Sequence, residues 1–319
     1  MALNILLILL GLVGLFIGGN WLVKGSARLA SSFGVSPLIV GVTVVAFGTS
    51  SPELLVNLSA ALQGSPDLAL GNAIGSNIAN IGLVMALAAA IYPIRVHWRM
   101  LRLEIPYSLG ATIAVLIFAA LDGQIGRFDG FLLLMGWVAF NYLIYRVSVE
   151  QQEEIEPELL EFEREENLTR SVTRAREIVR LLGGLVALVV GAQLLVTGAI
   201  DIARGLNISE AVIGVSMVAL GTSLPEVAAS VAAALRRESD IAVGNVVGSN
   251  VTNMLLIVGL TALISPLPVD PALFRFEFPV LLVFSFVLLT LLIDRRLSRG
   301  EAVALLFGYL IFNIFLFAV

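Results

Sequence analysis

Glu53 lies in GVTVVAFGTSSPELLVNLSAAL and Glu226 in GVSMVALGTSLPEVAASVAAAL, each directly after a proline and in otherwise apolar company. Neither stretch holds a lysine or arginine, so ion pairing within the helix is not available. At mid-bilayer a charged side chain costs about 2.5–3.5 kcal/mol on insertion scales. Each glutamate is therefore either protonated or holding a cation. Thr49 and Ser50 precede Glu53 by four and three residues, which places their hydroxyls on its face of a helix. Thr222 and Ser223 stand in the same relation to Glu226. Pro52 has no N–H and its ring crowds the carbonyl of Gly48, so the spacing predicts a kink that turns carbonyls near Ala46 to Thr49 toward a cavity. Pro225 and Gly221 repeat the arrangement. Hydroxyls, carbonyls and a carboxylate are what hard cations such as calcium and sodium prefer; calcium takes six to eight oxygens.

The next apolar stretch adds more oxygens. GNAIGSNIANIG places Asn72, Ser76 and Asn80 four residues apart, and GNVVGSNVTNML does so with Asn245, Ser249 and Asn253. Each set forms one polar stripe along a helix. Gly71 and Gly75, like Gly244 and Gly248, make a small-xxx-small pair that admits a neighbouring helix. Asn77 and Asn250 fall off the stripe, and either face the site or join helices. Polar residues in membranes commonly do no more than hydrogen-bond between helices; recurrence of the whole Glu, Pro, Asn and Ser pattern favours a built site. His97, in a basic stretch beside Trp98, reads as a membrane-surface residue, and Asp122, Asp129 and Asp201 read as solvated span ends.

The elements that must hold these residues follow from composition. Of 319 residues 58% are hydrophobic and 13% charged, against roughly 25% charged in soluble domains. The chain reads as an all-α integral membrane protein with no barrel-like alternation. Cysteine is absent, which removes disulfides, thiolate metal sites and cysteine nucleophiles. Candidate spans fall near 2–22, 37–62, 68–92, 104–121, 128–147, 178–199, 209–235, 241–264, 275–293 and 301–318. The first lacks a basic leader and a cleavage signature, so it reads as a transmembrane helix and not a signal peptide.

Gly25 and Gly198, Gly41 and Gly214, Thr49 and Thr222, Glu53 and Glu226, Asn80 and Asn253, and Pro93 and Pro266 are all 173 positions apart. This is an internal repeat. It divides the chain into a first five-helix repeat (1–149), an acidic linker (150–177) and a second five-helix repeat (178–319). Nine glutamates lie between Glu150 and Glu166. An odd number of spans per half makes the halves inverted. With the N-terminus outside, and the linker's five arginines from Arg164 to Arg180 left out, eleven basic residues lie in cytoplasmic segments. Only Arg127, Arg204 and Arg275 lie outside. The bias predicts ten helices, both termini outside and a cytoplasmic linker. Inverted repeats are the architecture of many secondary transporters, whose ion sites sit near mid-membrane where the repeats meet.

GTSSPE with GNAIGSNIAN, and GTSLPE with GNVVGSNVTN, resemble the paired alpha repeats of the cation/calcium exchanger superfamily, in its prokaryotic sodium/calcium exchanger branch. The resemblance covers nearly the whole chain. It implies Glu53 and Glu226 as central calcium ligands that also hold sodium. It adds Thr49, Ser50, Ser76 and Asn80 from one half and Thr222, Ser223, Ser249 and Asn253 from the other, with the carbonyls of Ala46 and Ala219. It also implies alternating access by sliding of the first and sixth helices. Potassium-dependent relatives carry an aspartate where Asn80 or Asn253 stands here, and proton-coupled relatives an acid where Gly75 and Gly248 stand.

The reading is a sodium-driven calcium antiporter of the plasma membrane, electrogenic and potassium-independent. No cofactor, nucleic-acid partner or enzymatic activity is expected; the partners are calcium, sodium and lipid, and the chain is read as a monomer. The alternatives are a calcium/proton antiporter or an exchanger for another divalent ion such as manganese. A channel could use the same oxygens, but inverted repeats favour alternating access. An intramembrane hydrolase would need a base beside Ser50 other than Glu53.

Overall fold

The computed structural model describes residues 2–150, 174–206 and 219–318. The first half opens with α1 (Ala2–Phe33). A broken span follows: α2 (Pro37–Val40), a π-helical turn (Gly41–Val45), α3 (Ala46–Thr49) and α4 (Ser51–Leu62). The next span is α5 (Pro66–Ala79), a π-helical segment (Asn80–Met85) and α6 (Ala86–Ile91). Short α7 (Trp98–Arg102), α8 (Glu104–Asp122) and α9 (Arg127–Glu150) complete the half. The second half runs α10 (Arg174–Gly205), α11 (Ala219–Thr222), α12 (Leu224–Leu235) and α13 (Ser239–Val251). A π-helical segment (Thr252–Ile257), α14 (Val258–Ile264), α15 (Pro271–Arg275), α16 (Glu277–Leu291) and α17 (Arg299–Ala318) end it.

Elements recur at the sequence offset: α4 and α12 match end to end, as do α7 and α15. Two antiparallel ribbons each join a strand of one half to a strand of the other. β1 (Ile94–Arg95) pairs with β4 (Arg296–Leu297), and β2 (Gln124–Ile125) with β3 (Leu267–Pro268).

Among the described residues seven helices are long and apolar enough to cross a membrane, or eight if the bent pair Pro37–Thr49 and Ser51–Leu62 is one span. α12 and α16 are apolar but only 12 and 15 residues long. Residues 209–218 of the expected seventh span and most of the acidic linker lie outside the described residues. Two spans are longer than their apolar runs suggest. The stretches read as 2–22 and 178–199 are α1 and α10, each of 32 residues. At 1.5 Å per residue each is about 48 Å long, so both tilt across or project beyond a hydrocarbon core of about 30 Å.

The innermost spans are those of α5–α6 and α13–α14, with 72% and 83% of their most apolar stretches buried, against 22% for α1. The polar stripes therefore lie at the centre of the bundle. Leu3, Leu6, Leu9, Phe16, Phe131, Val186 and Phe307 form part of an exposed apolar exterior suited to lipid. The α2–π segment lies in the groove that Gly244 and Gly248 open on α13: a Cβ on Gly244 would come within 2.9 Å of Val42 N and 3.0 Å of Leu38 O. The segment that the repeat would place on Gly71 and Gly75 falls in 211–215, outside the described residues.

α1 and α10 form one tightly joined antiparallel pair. A Cβ on Gly11 would stand 2.7 Å from Gly191 O, and one on Gly18 2.8 Å from Gly184 O. Without a hydrophobic force between helices in lipid, such backbone contact is a main source of association. At one end Glu177, 2% exposed, takes Arg28 at 3.5 Å and is also bonded by Arg180. Arg174 donates to Ser32 O at 2.7 Å and lies over the Phe33 ring.

This packing predicts a contrast between adjacent glycines. A Cβ on Gly184 would meet Leu22 N at 2.6 Å and Gly18 O at 2.9 Å, whereas one on Gly183 meets only the Trp21 ring at 3.4 Å. Gly184→Ala should lower stability by about 1–3 kcal/mol, the usual cost of overpacking, and Gly183→Ala should change it little. The thermal unfolding midpoint in detergent checks this; equal midpoints for the two variants would contradict it.

Candidate cation site

Each glutamate-bearing span is interrupted one turn before its carboxylate. Ser50 (φ −80°, ψ 6°) separates α3 from α4, and Ser223 (φ −86°, ψ 2°) separates α11 from α12. Pro52 and Pro225 sit in the first turn of the helix that follows, where a missing N–H costs no hydrogen bond. The break thus lies two residues before each proline, and the span bends by 42° there in the first half. The Ala46 carbonyl accepts the Ser50 N–H at 3.0 Å, and the Thr49 hydroxyl oxygen lies 3.3 Å from it. Ala219 opens α11.

Glu53 and Glu226 are each 1% exposed and close enough for their charges to interact. Each accepts a serine hydroxyl from the opposite half. Ser50 Oγ donates to Glu226 Oε1 at 3.1 Å, and Ser223 Oγ to Glu53 Oε1 at 3.4 Å. Thr222 also faces Glu53. Thr49 Oγ1 donates across the boundary to Asn245 Oδ1 at 3.0 Å. Asn245 Nδ2 in turn donates to Ser230 Oγ at 3.0 Å and Glu226 O at 3.3 Å. In the first half Asn72 Nδ2 donates to Asn57 Oδ1 at 2.7 Å, the repeat counterpart of the Asn245–Ser230 bond. Asn80 Nδ2 donates to Asn250 Oδ1 at 3.0 Å, and Asn253 Nδ2 to Asn77 Oδ1 at 2.9 Å.

Each half of the site is left with the same three buried oxygens without a hydrogen bond. They are Glu53 Oε2, Ser76 Oγ and Asn80 Oδ1 from one half and Glu226 Oε2, Ser249 Oγ and Asn253 Oδ1 from the other. A buried polar atom without a partner costs about 1–3 kcal/mol, and natural folds leave few. Two carboxylate, two amide and two hydroxyl oxygens are suitable donors for a hard cation. Among the described residues no three of His, Cys, Asp and Glu converge, and the acidic side chains placed at the centre are Glu53 and Glu226.

The structure arranges site residues in three hydrogen-bonded groups: Thr49, Ser50 and Glu226 with Asn245, Glu53 with Ser223, and a third that joins Asn80 and Asn253 with Asn77 and Asn250. Asn77 and Asn250 enter the third by pairing across the halves, which spacing along one helix cannot show. Asn57 and Ser230 were missed, although each lies four residues after its glutamate and the two are 173 apart. The π-helical segments beginning at Asn80 and Thr252, a feature frequent at functional sites, have no signature in the periodicity. His97 Nε2 lies 3.2 Å from Asp240 Oδ2, joining the loop before α7 to the first turn of α13. Asp129 caps the Gly126 N–H at 2.8 Å.

Residues 3–146 and 177–318 match the family model described as sodium/calcium exchanger protein. The chain is 37% identical over 310 residues to the inner membrane protein YrbG of Escherichia coli (strain K12), covering 96% of this chain and 94% of that one. It is 32% identical to the sodium/calcium exchanger MaX1 of Methanosarcina acetivorans, covering 98% of each. The fold superposes on the sodium-calcium exchanger NCX_Mj soaked with sodium and strontium, with a TM-score of 0.83, 33% identity and 97% of each chain covered. With the family model spanning both halves and relatives matched nearly end to end, this chain belongs to the sodium/calcium exchanger family.

Proposed function

We propose that the chain exchanges calcium for sodium across the plasma membrane by alternating access, at a site centred on Glu53 and Glu226. The observation that carries this reading is the set of six unpartnered oxygens, three from each half, around two buried carboxylates. In the proposed assignment Thr49, Ser50, Ser76, Asn80, Thr222, Ser223, Ser249, Asn253 and the carbonyls of Ala46 and Ala219 complete the ligands. The architecture is ten helices in two inverted five-helix repeats, 1–149 and 178–319, joined by a cytoplasmic linker at 150–177, with both termini outside. The chain works as a monomer.

Alternating access is supported by a difference between equivalent positions. α1 lies on α12: a Cβ on Gly19 would meet Ala228 O at 2.8 Å and the Ala232 Cβ at 3.1 Å, and Ala232 is 6% exposed. The repeat counterpart of Ala232 is Ser59, which is exposed. It borders an open groove of about 310 Å³ lined by Leu55, Val56, Ser59, Ala60, Gln63, Ser65 and Leu68. Movement of the α1–α10 pair from α12 toward α4 would exchange the covered and open sides. The recurrence of the same motifs in both halves makes both arrangements available to similar packing.

Charge sets the coupling. Two ionised carboxylates are neutralised by one calcium or by two sodium ions, and three sodium ions leave one net positive charge. We assign three, as the family resemblance implies. Both inner amides, Asn80 and Asn253, are neutral, and potassium has no assigned ligand.

Glu53→Gln and Glu226→Gln should each insert normally and lose calcium transport by on the order of a hundredfold or more. Removing one partner of a buried charge interaction costs 2–5 kcal/mol or above. Radioactive calcium uptake into sodium-loaded proteoliposomes checks this, and wild-type-like uptake by either variant would remove the centre of the proposal. Replacing potassium by choline should leave that uptake unchanged; a steep potassium requirement would put the chain with potassium-coupled exchangers.

Voltage tests the stoichiometry. One net charge crossing the membrane is worth about 2.3 kcal/mol per 100 mV. Calcium uptake against internal sodium should therefore accelerate when potassium and valinomycin make the interior positive. A rate indifferent to potential would give two sodium ions per calcium.

A further inference from the structure

Asn77 and Asn250 are buried, at 0% and 3% exposure, and neither belongs to the ligand set proposed above. Their bonds form a directed chain. The Asn250 backbone carbonyl can only accept, so the Asn77 group bonded to it at 3.1 Å is the amide nitrogen, Nδ2. Asn77 must then turn Oδ1 the other way, where it accepts Asn253 Nδ2 at 2.9 Å. With its nitrogen held there, Asn253 leaves Oδ1 buried and unpartnered among the site oxygens. The other half repeats the last step: Asn250 Oδ1 accepts Asn80 Nδ2 at 3.0 Å, leaving Asn80 Oδ1 unpartnered.

A primary amide has a donor end and an acceptor end of nearly the same shape. Rotated by half a turn, Asn80 or Asn253 would present an NH₂ group to a cation and repel it. The bond from Asn77, itself fixed by the Asn250 carbonyl, excludes that rotamer at Asn253, and the bond to Asn250 Oδ1 opposes it at Asn80. We propose that Asn77 and Asn250 are positioning residues: each holds the site asparagine of the opposite half with its oxygen toward the ion, so that a neutral amide acts as an acceptor only. This rests on the exchange reading above and adds residues that do not touch the ion. It also makes the two halves of the site interdependent, because each half's amide ligand is oriented by the other half.

A double-mutant cycle on apparent calcium affinity tests this, measured in purified protein by calcium-dependent thermal stabilisation and in proteoliposomes by uptake. Asn77→Ala and Asn250→Ala should each weaken apparent affinity by on the order of tenfold, as loss of a buried hydrogen bond allows. The loss should be conditional. Asn77→Ala should add little in an Asn253→Ala background and Asn250→Ala little in an Asn80→Ala background, because no amide is left there to orient. Across the other pairings, Asn77 with Asn80 and Asn250 with Asn253, the effects should come closer to additivity. A residue that only joins helices would lower the unfolding midpoint without calcium equally in every background and show no such pairing.

Where the alanines do not fold, Asn77→Ser and Asn250→Ser carry the same expectation, since a serine hydroxyl is too short to reach the partner amide. Wild-type affinity in the single variants, or equal additivity in all four cycles, would overturn the assignment. A wild-type chain that neither binds nor moves calcium would overturn the exchange reading itself, a result distinct from uncoupled cycles in a transporting protein.

Discussion

Two buried carboxylates, in stretches that hold no lysine or arginine, are the constraint to which the rest of the fold answers. Glu53 and Glu226 repel each other, and burial removes the water that would screen them. The other charged pairs lie elsewhere: Glu104 is held by Arg99 at 2.9 Å and Glu177 by Arg28 and Arg180. At the centre the described residues supply hydroxyl and amide groups, and one oxygen of each carboxylate is bonded by a serine while the other is left open. In the proposed exchange the site is completed by cations, and two ionised carboxylates would set the charge that those cations bring.

The same constraint accounts for the broken helices. A continuous α-helix would keep its carbonyls and N–H groups to itself. Interrupting the span at Ser50 and Ser223 lets each hydroxyl cross to the other half's glutamate. Irregular backbone at such a depth is tolerable only where protein, water or an ion meets it, and here the opposite repeat does so. α5 and α13 must then approach closely enough for asparagines to bond across the interface, and on α13 Gly244 and Gly248 give the neighbouring α2–π segment the room it needs.

Much of this was legible in the sequence because membrane helices punish isolated polar residues. Glu53, Pro52 and the Asn72–Ser76–Asn80 stripe stand out against apolar surroundings, and a second copy 173 residues later removes accident as an explanation. What periodicity cannot supply is the partner across an interface. Asn77 lies off the stripe on its own helix, yet it bonds both the Asn250 carbonyl and the Asn253 amide. Pro52 signals a break but not its position, which is Ser50, because the ring disturbs the turn that precedes it. The lengths of α1 and α10 were under-read for a related reason. Both helices continue past their apolar runs into segments fastened by Arg28, Arg174 and Glu177, and hydropathy does not report on ends held by charge.

The repeat also shapes the energetics of the proposed exchange. In that exchange two halves with recurring motifs, packed about one site, would trade roles between two arrangements. Cargo can then shift the balance only by its differential affinity for the two. Departures from symmetry bias that balance. The positions under α1 on α12 are Ala228 and Ala232, small enough for helix to meet helix, while their counterparts facing the open groove are Leu55 and Ser59. α10 approaching α4 must accommodate a leucine where α1 approaching α12 meets an alanine. The arrangement seen here, with α1 on the alanine side, is the one that side-chain volume favours. In the proposed exchange the opposite arrangement would require Leu55 to repack, a cost that unequal binding of the cargo to the two states would have to offset.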